Sequence, residues 1–361
     1  MRGGTSHGPF FDAASLPRDV PTRDRVLLAV MGSPDARQID GLGGAHPLTS
    51  KVGIVRLGSR PGVDLDFQFA QLQPEKDTVD TTPNCGNMLA AVVPFALETG
   101  MVKAQGDTST FRVRTLNTDM QCDVTVQTPG GQVDYEGAAR IDGVPGVSAP
   151  ITIDFLDTAG SVCSGLLPTG QVRDTIDGIE VTCIDNGMPL VMFEASAVGC
   201  TGYETAAEMN ANSELKARVE HLRIACGRVM SLGDVTAKNY PKMTLIAPPR
   251  AGGSLCTRSF IPHVCHAAIG VLAAVTAATA CVLEGSVARR VAVVPPGRTK
   301  TVSVEHPTGE FSVELSVDPS DPQTVTRAAL LRTARLIMRG EVMVPASVWD
   351  GVLDRSEEAR R

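Results

Sequence analysis

The sequence predicts an α+β protein of two strand-rich domains, each wrapped around one apolar helix, and three observations carry that prediction. Segments of alternating or β-branched residues, bounded by Gly, Pro and Asp, recur along both halves of the 361-residue chain. Two long segments that are apolar nearly all round interrupt them, one in each half. A polar cluster of Asn, His and Cys introduces each of those segments, so the halves read as two similar domains facing each other across a cleft.

The first strands are Lys51–Leu57, Asp64–Leu72, Thr110–Leu116 and Cys122–Gln127. The second set is Ile151–Phe155, Ile179–Ile184, Leu190–Phe193, Met243–Ile246, Val302–Glu305 and Phe311–Val317. The first apolar helix is expected over Asn87–Gly100 and the second over His266–Gly285, each running into a Glu and a Gly as a helix stopping at a glycine does. An amphipathic helix is expected over Ser213–Arg228, with Leu215, Val219, Leu222 and Cys226 on one face. Turn formers concentrate at Asp142–Pro150, which places the boundary between domains 1–146 and 147–361.

Composition narrows the function. Hydrophobic residues make up 43% and charged residues 20% of the chain, as in globular proteins. Net charge is −7, without a run of Lys or Arg, so no nucleic acid and no membrane is expected as a partner. Aromatic residues are 4%, with Trp349 the single tryptophan, which argues against stacked bases or sugars as ligands. Nine cysteines without CxxC spacing, and no apolar leader after Met1, fit a reduced, cytoplasmic protein.

The sharpest local feature is Asn84-Cys85-Gly86-Asn87 at the head of the first apolar helix. Free backbone N–H groups there favour an anion or a thiolate. A small buried residue capped by Asn is the equal alternative. Leu48-Thr49-Ser50-Lys51 sets one amine beside two hydroxyls at the start of an apolar strand. A partly buried lysine can serve as a general base, although most lysines at strand ends simply reach water. Arg2-Gly3-Gly4-Thr5-Ser6-His7-Gly8 gathers a guanidinium, hydroxyls and flexible backbone N–H groups, as an anion-binding loop or a frayed tail does. Thr257–His266 brings Arg258, Ser259, His263, Cys265 and His266 to the entrance of the second helix. His263, Cys265 and His266 lack the further ligands of a zinc site, so no metal is expected.

In order along nearly the whole chain, Arg2-Gly-Gly-Thr-Ser-x-Gly8, Met31–Gly41, Pro47–Lys51, Asn84–Asn87, Ile141–Gly146, Ile184–Pro189 and Arg258–His263 resemble the 2-methylaconitate isomerase (PrpF) family. Ile184–Pro189, Arg258–Gly270 and Thr279–Ala288 are most similar to its 4-oxalomesaconate tautomerase branch, whereas Val79–Met88 is closer to other branches. The resemblance implies the diaminopimelate epimerase-like fold, with two pseudo-symmetric domains, each a sheet curled around a central helix. It implies Lys51 as the proton-abstracting base and Cys85 as a second catalytic or positioning residue. Carboxylates of the substrate would be held by Arg2, Gly3, Thr5 and Ser6, by Thr49 and Ser50, and by Asn84, Gly86 and Asn87. In the second half Met188, Arg258, Ser259, His263 and His266 would contribute.

Two features depart from the family pattern. The Arg-Gly-Gly-Thr-Ser motif opens the chain without the apolar strand that precedes it in the family, and His7 stands where Lys is common, which alters one charge contact. The implied activity is a cofactor-independent isomerisation of a small unsaturated tricarboxylate, 4-oxalomesaconate in gallate or protocatechuate catabolism. The alternatives are 2-methylaconitate isomerisation, a two-base racemase using Cys85 and Cys265, and a tricarboxylate-binding protein without activity. Oligomeric state is left open, with a homo-oligomer compatible.

Overall fold

In the computed structural model, which describes residues 1–156, 158–320 and 325–352, the chain divides into two units. One holds Met1–Leu156 together with the chain from Arg332 onward, and the other holds Asp157–Leu331.

The strands of the first unit are β1 (Arg2–Gly3), β2 (Ser6–His7), β3 (Phe10–Asp12), β4 (Lys51–Leu57), β5 (Leu65–Leu72), β6 (Val79–Asp80), β7 (Thr108–Thr115), β8 (Gln121–Gln127) and β9 (Ile151–Phe155). Its main sheet runs β3-β4-β5-β7-β8-β9, with β6 also paired to β5. Helix α1 (Val20–Met31) covers one face. Asp19 caps it by accepting from the Thr22 N–H, Pro21 lies in its first turn, and Gly32 ends it at φ 74. Val26, Leu27, Val30 and Met31 of this helix pack on Val52, Ile54, Ala70 and Leu72. Because side chains alternate across a strand, Val52 and Ile54 facing α1 turn Lys51 to the opposite face.

That opposite face carries the first apolar segment, which is not the single helix expected over Asn87–Gly100. Two short helices form instead, α2 (Gly86–Leu89) and α3 (Val92–Glu98). The break at Ala90 and Ala91 has a local cause: Pro94 has no N–H to give the Ala90 carbonyl, and its ring crowds that oxygen. The residues from Met88 through Val93 are all buried, as their apolar sequence requires.

In the second unit the strands are β10 (Asp174–Ile176), β11 (Ile179–Asp185), β12 (Pro189–Glu194), β13 (Lys242–Ala247), β14 (Leu255–Phe260), β15 (Thr299–His306), β16 (Gly309–Val317) and β17 (Val325–Arg332). They follow one another in sequence order across the sheet. Near-continuous apolar strands bury both faces. Ile184, Leu190, Met192 and Ile246 pack on one side, against helix α6 (Val271–Val282). The alternate residues Val181, Cys183, Val191, Phe193, Met243 and Leu245 pack on Leu215, Val219, Leu222 and Cys226 of helix α5 (Ser213–Val229), the face read from the sequence. Helix α4 (Ala206–Ala211) precedes α5, and α7 (Val287–Val291) follows α6.

Helix α6 is buried all round from Ala273 to Val282, but it starts at Val271 rather than at the expected His266. Gly270 is extended at φ −68, ψ 148, and the residues before it are tied to β14. Cys265 bridges to Phe260, and the His266 N–H donates to the Ser259 carbonyl at 2.8 Å.

The units also divide elsewhere than at residues 146 and 147. Strand β9 pairs antiparallel with β8 and so carries the first unit past Gly146 to Leu156. The two-residue strand Ala334–Arg335 pairs with Gly3 and Arg2, which returns the chain to that unit. The turn formers at 142–150 mark a loop within the first unit rather than a boundary. Among the described residues no helix is long and apolar enough to cross a membrane.

Candidate active site

The chemistry of the first unit concentrates where β4, α2 and the β1–β2 hairpin meet. Lys51 opens β4 on the face away from α1 and is only 7% exposed. Its Nζ donates to Ser6 Oγ at 3.1 Å and lies 3.4 Å from Cys85 Sγ. The same amine sits 5.5 Å from the centre of the Phe69 ring, whose face favours a cation.

Cys85 precedes α2 in extended conformation, φ −134 and ψ 97, and its carbonyl accepts the Leu89 N–H. Because α2 is a single turn, the sulfur does not face the summed dipole of a long helix, and Lys51 is the donor that meets it. Asn87 Nδ2 donates to Thr5 Oγ1 at 2.9 Å and thereby ties α2 to the hairpin.

Glycines let the hairpin come this close. Gly4 is left-handed at φ +52, and a Cβ there would overlap the Asn87 side chain; a Cβ on Gly8 would overlap the Lys51 carbonyl. Gly3 likewise leaves room for the Asn87 carbonyl. Arg2 braces the hairpin from the other side. Its Nη1 donates to the carbonyls of Gly4 and Thr333 and to Thr333 Oγ1, and its Nη2 reaches Ser148 Oγ at 3.4 Å. Burial, and then repulsion from Arg335, hold the Arg2 guanidinium below its usual value.

Arg2, Gly3, Thr5, Ser6, Lys51, Cys85, Gly86 and Asn87 thus come together in one place. Three of their sequence neighbours do not join them. Ser50 Oγ is buried against Gln38 Oε1 and the His46 carbonyl, and Thr49 Oγ1 also bonds the His46 carbonyl. Asn84 turns to Thr118 and to Met120 Sδ.

In the second unit, Arg258 and Ser259 lie inside β14 rather than at the helix entrance. Arg258 donates to the Glu204 and Thr257 carbonyls and to Cys256 Sγ. Ser259 Oγ bonds Thr244 Oγ1 at 2.9 Å. His263 is exposed with Nδ1 3.5 Å from Glu220 Oε2, and His266 Nδ1 accepts the Ala268 N–H. Met188 packs in the core that holds α6, and its carbonyl accepts from Thr276 Oγ1. Cys265 is 2% exposed, and burial pushes its thiol up to about 11, with Arg258 opposing. Among the described residues no three His, Cys, Asp or Glu side chains group as a metal site.

Arg332 was not among the residues expected from the sequence. It ends β17, is 5% exposed, and adjoins Thr333, whose carbonyl accepts from both the Gly4 N–H and Arg2. Burial pulls its guanidinium down to about 9, while Cys85 acts in the opposite direction. The local signal for it was slight, an Arg ending the apolar run Ala328–Leu331.

The sequence model of the family described as PrpF protein matches residues 1–345. A (4E)-oxalomesaconate Delta-isomerase of Novosphingobium sp. (strain KA1) is 56% identical over 344 residues, 95% of this chain and 96% of that protein. A 4-oxalomesaconate tautomerase of Pseudomonas putida is 51% identical over 351 residues, 97% of this chain and 96% of that protein. The crystal structure of a methylitaconate-delta-isomerase superposes with a TM-score of 0.83 at 33% identity, covering 96% of this chain and 95% of the other.

Proposed function

From the premise that the chain belongs to the PrpF protein family, we propose that this isomerase acts on 4-oxalomesaconate by moving a proton within the substrate. The observation that carries the chemistry is the Lys51–Cys85 pair, two proton-carrying groups 3.4 Å apart beside a buried hydroxyl. The substrate class comes from the relatives that share more than half of this sequence.

A C–H next to an unsaturated oxo-acid is already acidified, because the carbanion formed delocalises into the conjugated oxygen. A positioned base and an anion-stabilising pocket therefore suffice. Lys51, in its amine form, takes the proton and becomes an ammonium. The electron pair of the broken C–H bond enters the conjugated system as a dienolate. A proton then returns at the other end of that system, from Lys51 or from Cys85, and the formula of the substrate is unchanged. Ser6 fixes the amine, and Arg2, Thr5 and Asn87 hold the hairpin that carries it. We place this reaction in the cytoplasm, where nine free cysteines stay reduced.

Ultraviolet-monitored turnover of 4-oxalomesaconate, run beside 2-methylaconitate on one preparation, tests this function. Turnover of the first in preference to the second is expected. Turnover of 2-methylaconitate alone moves the protein to the other substrate, and binding of both without turnover makes it a tricarboxylate-binding protein.

A further inference from the structure

The second unit repeats an arrangement of the first. Strand β4 opens with Lys51 on the face away from α1, and its amine meets Cys85 at the head of α2. Strand β13 opens with Lys242. Met243 and Leu245 pack on the α5 side and Ile246 on the α6 side, so alternation turns Lys242 toward α6. Its Nζ reaches the head of that helix, 3.5 Å from where a Cβ on Gly270 would stand. Gly270 precedes α6 as Cys85 precedes α2. On β12 Leu190 stands beside Lys242, and the turn at 186–188 borders the same end of the sheet, tied to α6 where the Asn186 N–H donates to Thr276 Oγ1.

The two amines differ in what they meet. Lys51 donates to Ser6 and lies against a sulfur. Lys242 is half-buried and has neither a hydrogen-bond acceptor nor an ion-pair partner among the described residues. Lys238 and Lys300, half-buried as well, donate to the carbonyls of Leu232 and Pro295. The head of a helix carries partial positive charge, which disfavours a cation, and no side chain accepts from the first N–H groups of the 12-residue α6. An anion set beside Lys242 answers the charge of the amine and that of the helix together. Burial alone pulls the Lys242 ammonium down, with no opposing charge acting on it.

We propose that Lys242 holds a carboxylate at the head of α6, and so forms in the second unit a site for small polycarboxylates, the class of the substrate proposed above. The ligand class rests on that reading, but the site is testable without turnover.

Trace acetylation provides the test. Acetic anhydride acylates a free amine: Nζ forms an N–C bond, acetate leaves and the proton passes to water. The rate at each lysine, read by peptide mass spectrometry, is compared with and without tricarballylate, a saturated tricarboxylate with no double bond to move. Exposed Lys76 and Lys103 are the internal references. Saturating tricarballylate is expected to slow Lys242 by about tenfold or more against them, and trimethyl tricarballylate, the same carbon skeleton without charge, to leave it unchanged. An unprotected Lys242 overturns the assignment, as does equal protection by the ester.

Calorimetry reads the same contact. Lys242→Gln is expected to weaken tricarballylate binding by about tenfold or more, with Lys242→Arg restoring part, and a folded Lys242→Gln protein with native affinity overturns the proposal. Should that variant fail to fold, labelling of the wild-type protein decides alone. Protection of Lys242 without turnover of 4-oxalomesaconate would remove the substrate and keep the carboxylate site. Turnover with Lys242 unprotected would remove the site and keep the isomerase.

Discussion

Lys51 reaches Cys85 because one residue of β4 faces α1 and the next faces away, and Ser6 then fixes the amine at 3.1 Å. On the function proposed, Lys51→Ala loses the base and is expected to lower kcat for 4-oxalomesaconate by about 10²–10⁴-fold with an unchanged circular dichroism spectrum. Ser6→Ala keeps the amine and loses its anchor, so a smaller fall in kcat, about tenfold, is expected with KM little changed. Equal loss in both variants would mean that Ser6 itself takes part in the proton transfer. Lys51 and Cys85 were legible in the sequence because each lies in a short motif whose spacing survives folding. The strand that closes on the hairpin was not, because the pairing of Ala334 with Gly3 is a contact between distant parts of the chain that no local pattern encodes. Arg258 was legible as part of a motif, but its place inside β14 and its donation to the Glu204 and Thr257 carbonyls were not.

Elements transmit these positions. The β1–β2 hairpin fits against α2 and β4 only because glycine occupies positions 4 and 8, so Gly8→Ala is expected to displace the Lys51 backbone. Its signature is a lower thermal midpoint together with lost turnover; a stable, fully active variant would show that the hairpin does not set the amine. Helix α1 supports β4 from behind through Leu27, which is fully buried. Leu27→Ala should destabilise the protein by about 2–5 kcal/mol in urea unfolding, while turnover per folded molecule changes far less. Strands such as Lys51–Leu57 and Ile151–Phe155 were legible from alternation and β-branching, and α5 from its apolar stripe. The first apolar segment misled because hydrophobic character persisted through Ala90 and Ala91 while Pro94 broke the hydrogen-bond ladder. The second misled because Cys265 and His266 pair back to β14 before the helix begins.

At the scale of the whole molecule, thiols shielded from water set the alkaline limit of stability. Burial raises Cys265 to about 11 and Cys163 and Cys281 to about 12, from an ordinary value of 9.0. The folded state therefore holds protons that the unfolded chain releases, so their contribution is complete below pH 9.0 and is lost as pH rises through about 11 to 12. Arg332, lowered to about 9, works in the opposite sense, as do Arg2 and Lys242, while burial also raises the thiols of Cys122, Cys200 and Cys256. Urea midpoints measured from about pH 8 upward are expected to fall, and a flat profile would mean that these thiols are not shielded in solution.

The isomerisation proposed for the lysine–cysteine pair makes a single demand on the whole protein: the hydrogen that moves must pass through a side chain that can exchange it with water. Proton NMR of 4-oxalomesaconate turnover in deuterium oxide tests this most directly. The wild-type protein is predicted to place solvent deuterium in the product at the carbon that gains the proton, and Lys51→Ala to show neither isomerisation nor exchange. Exchange at an undiminished rate in Lys51→Ala would contradict the account, because the proton would then be moving without the amine that β4 carries into the site.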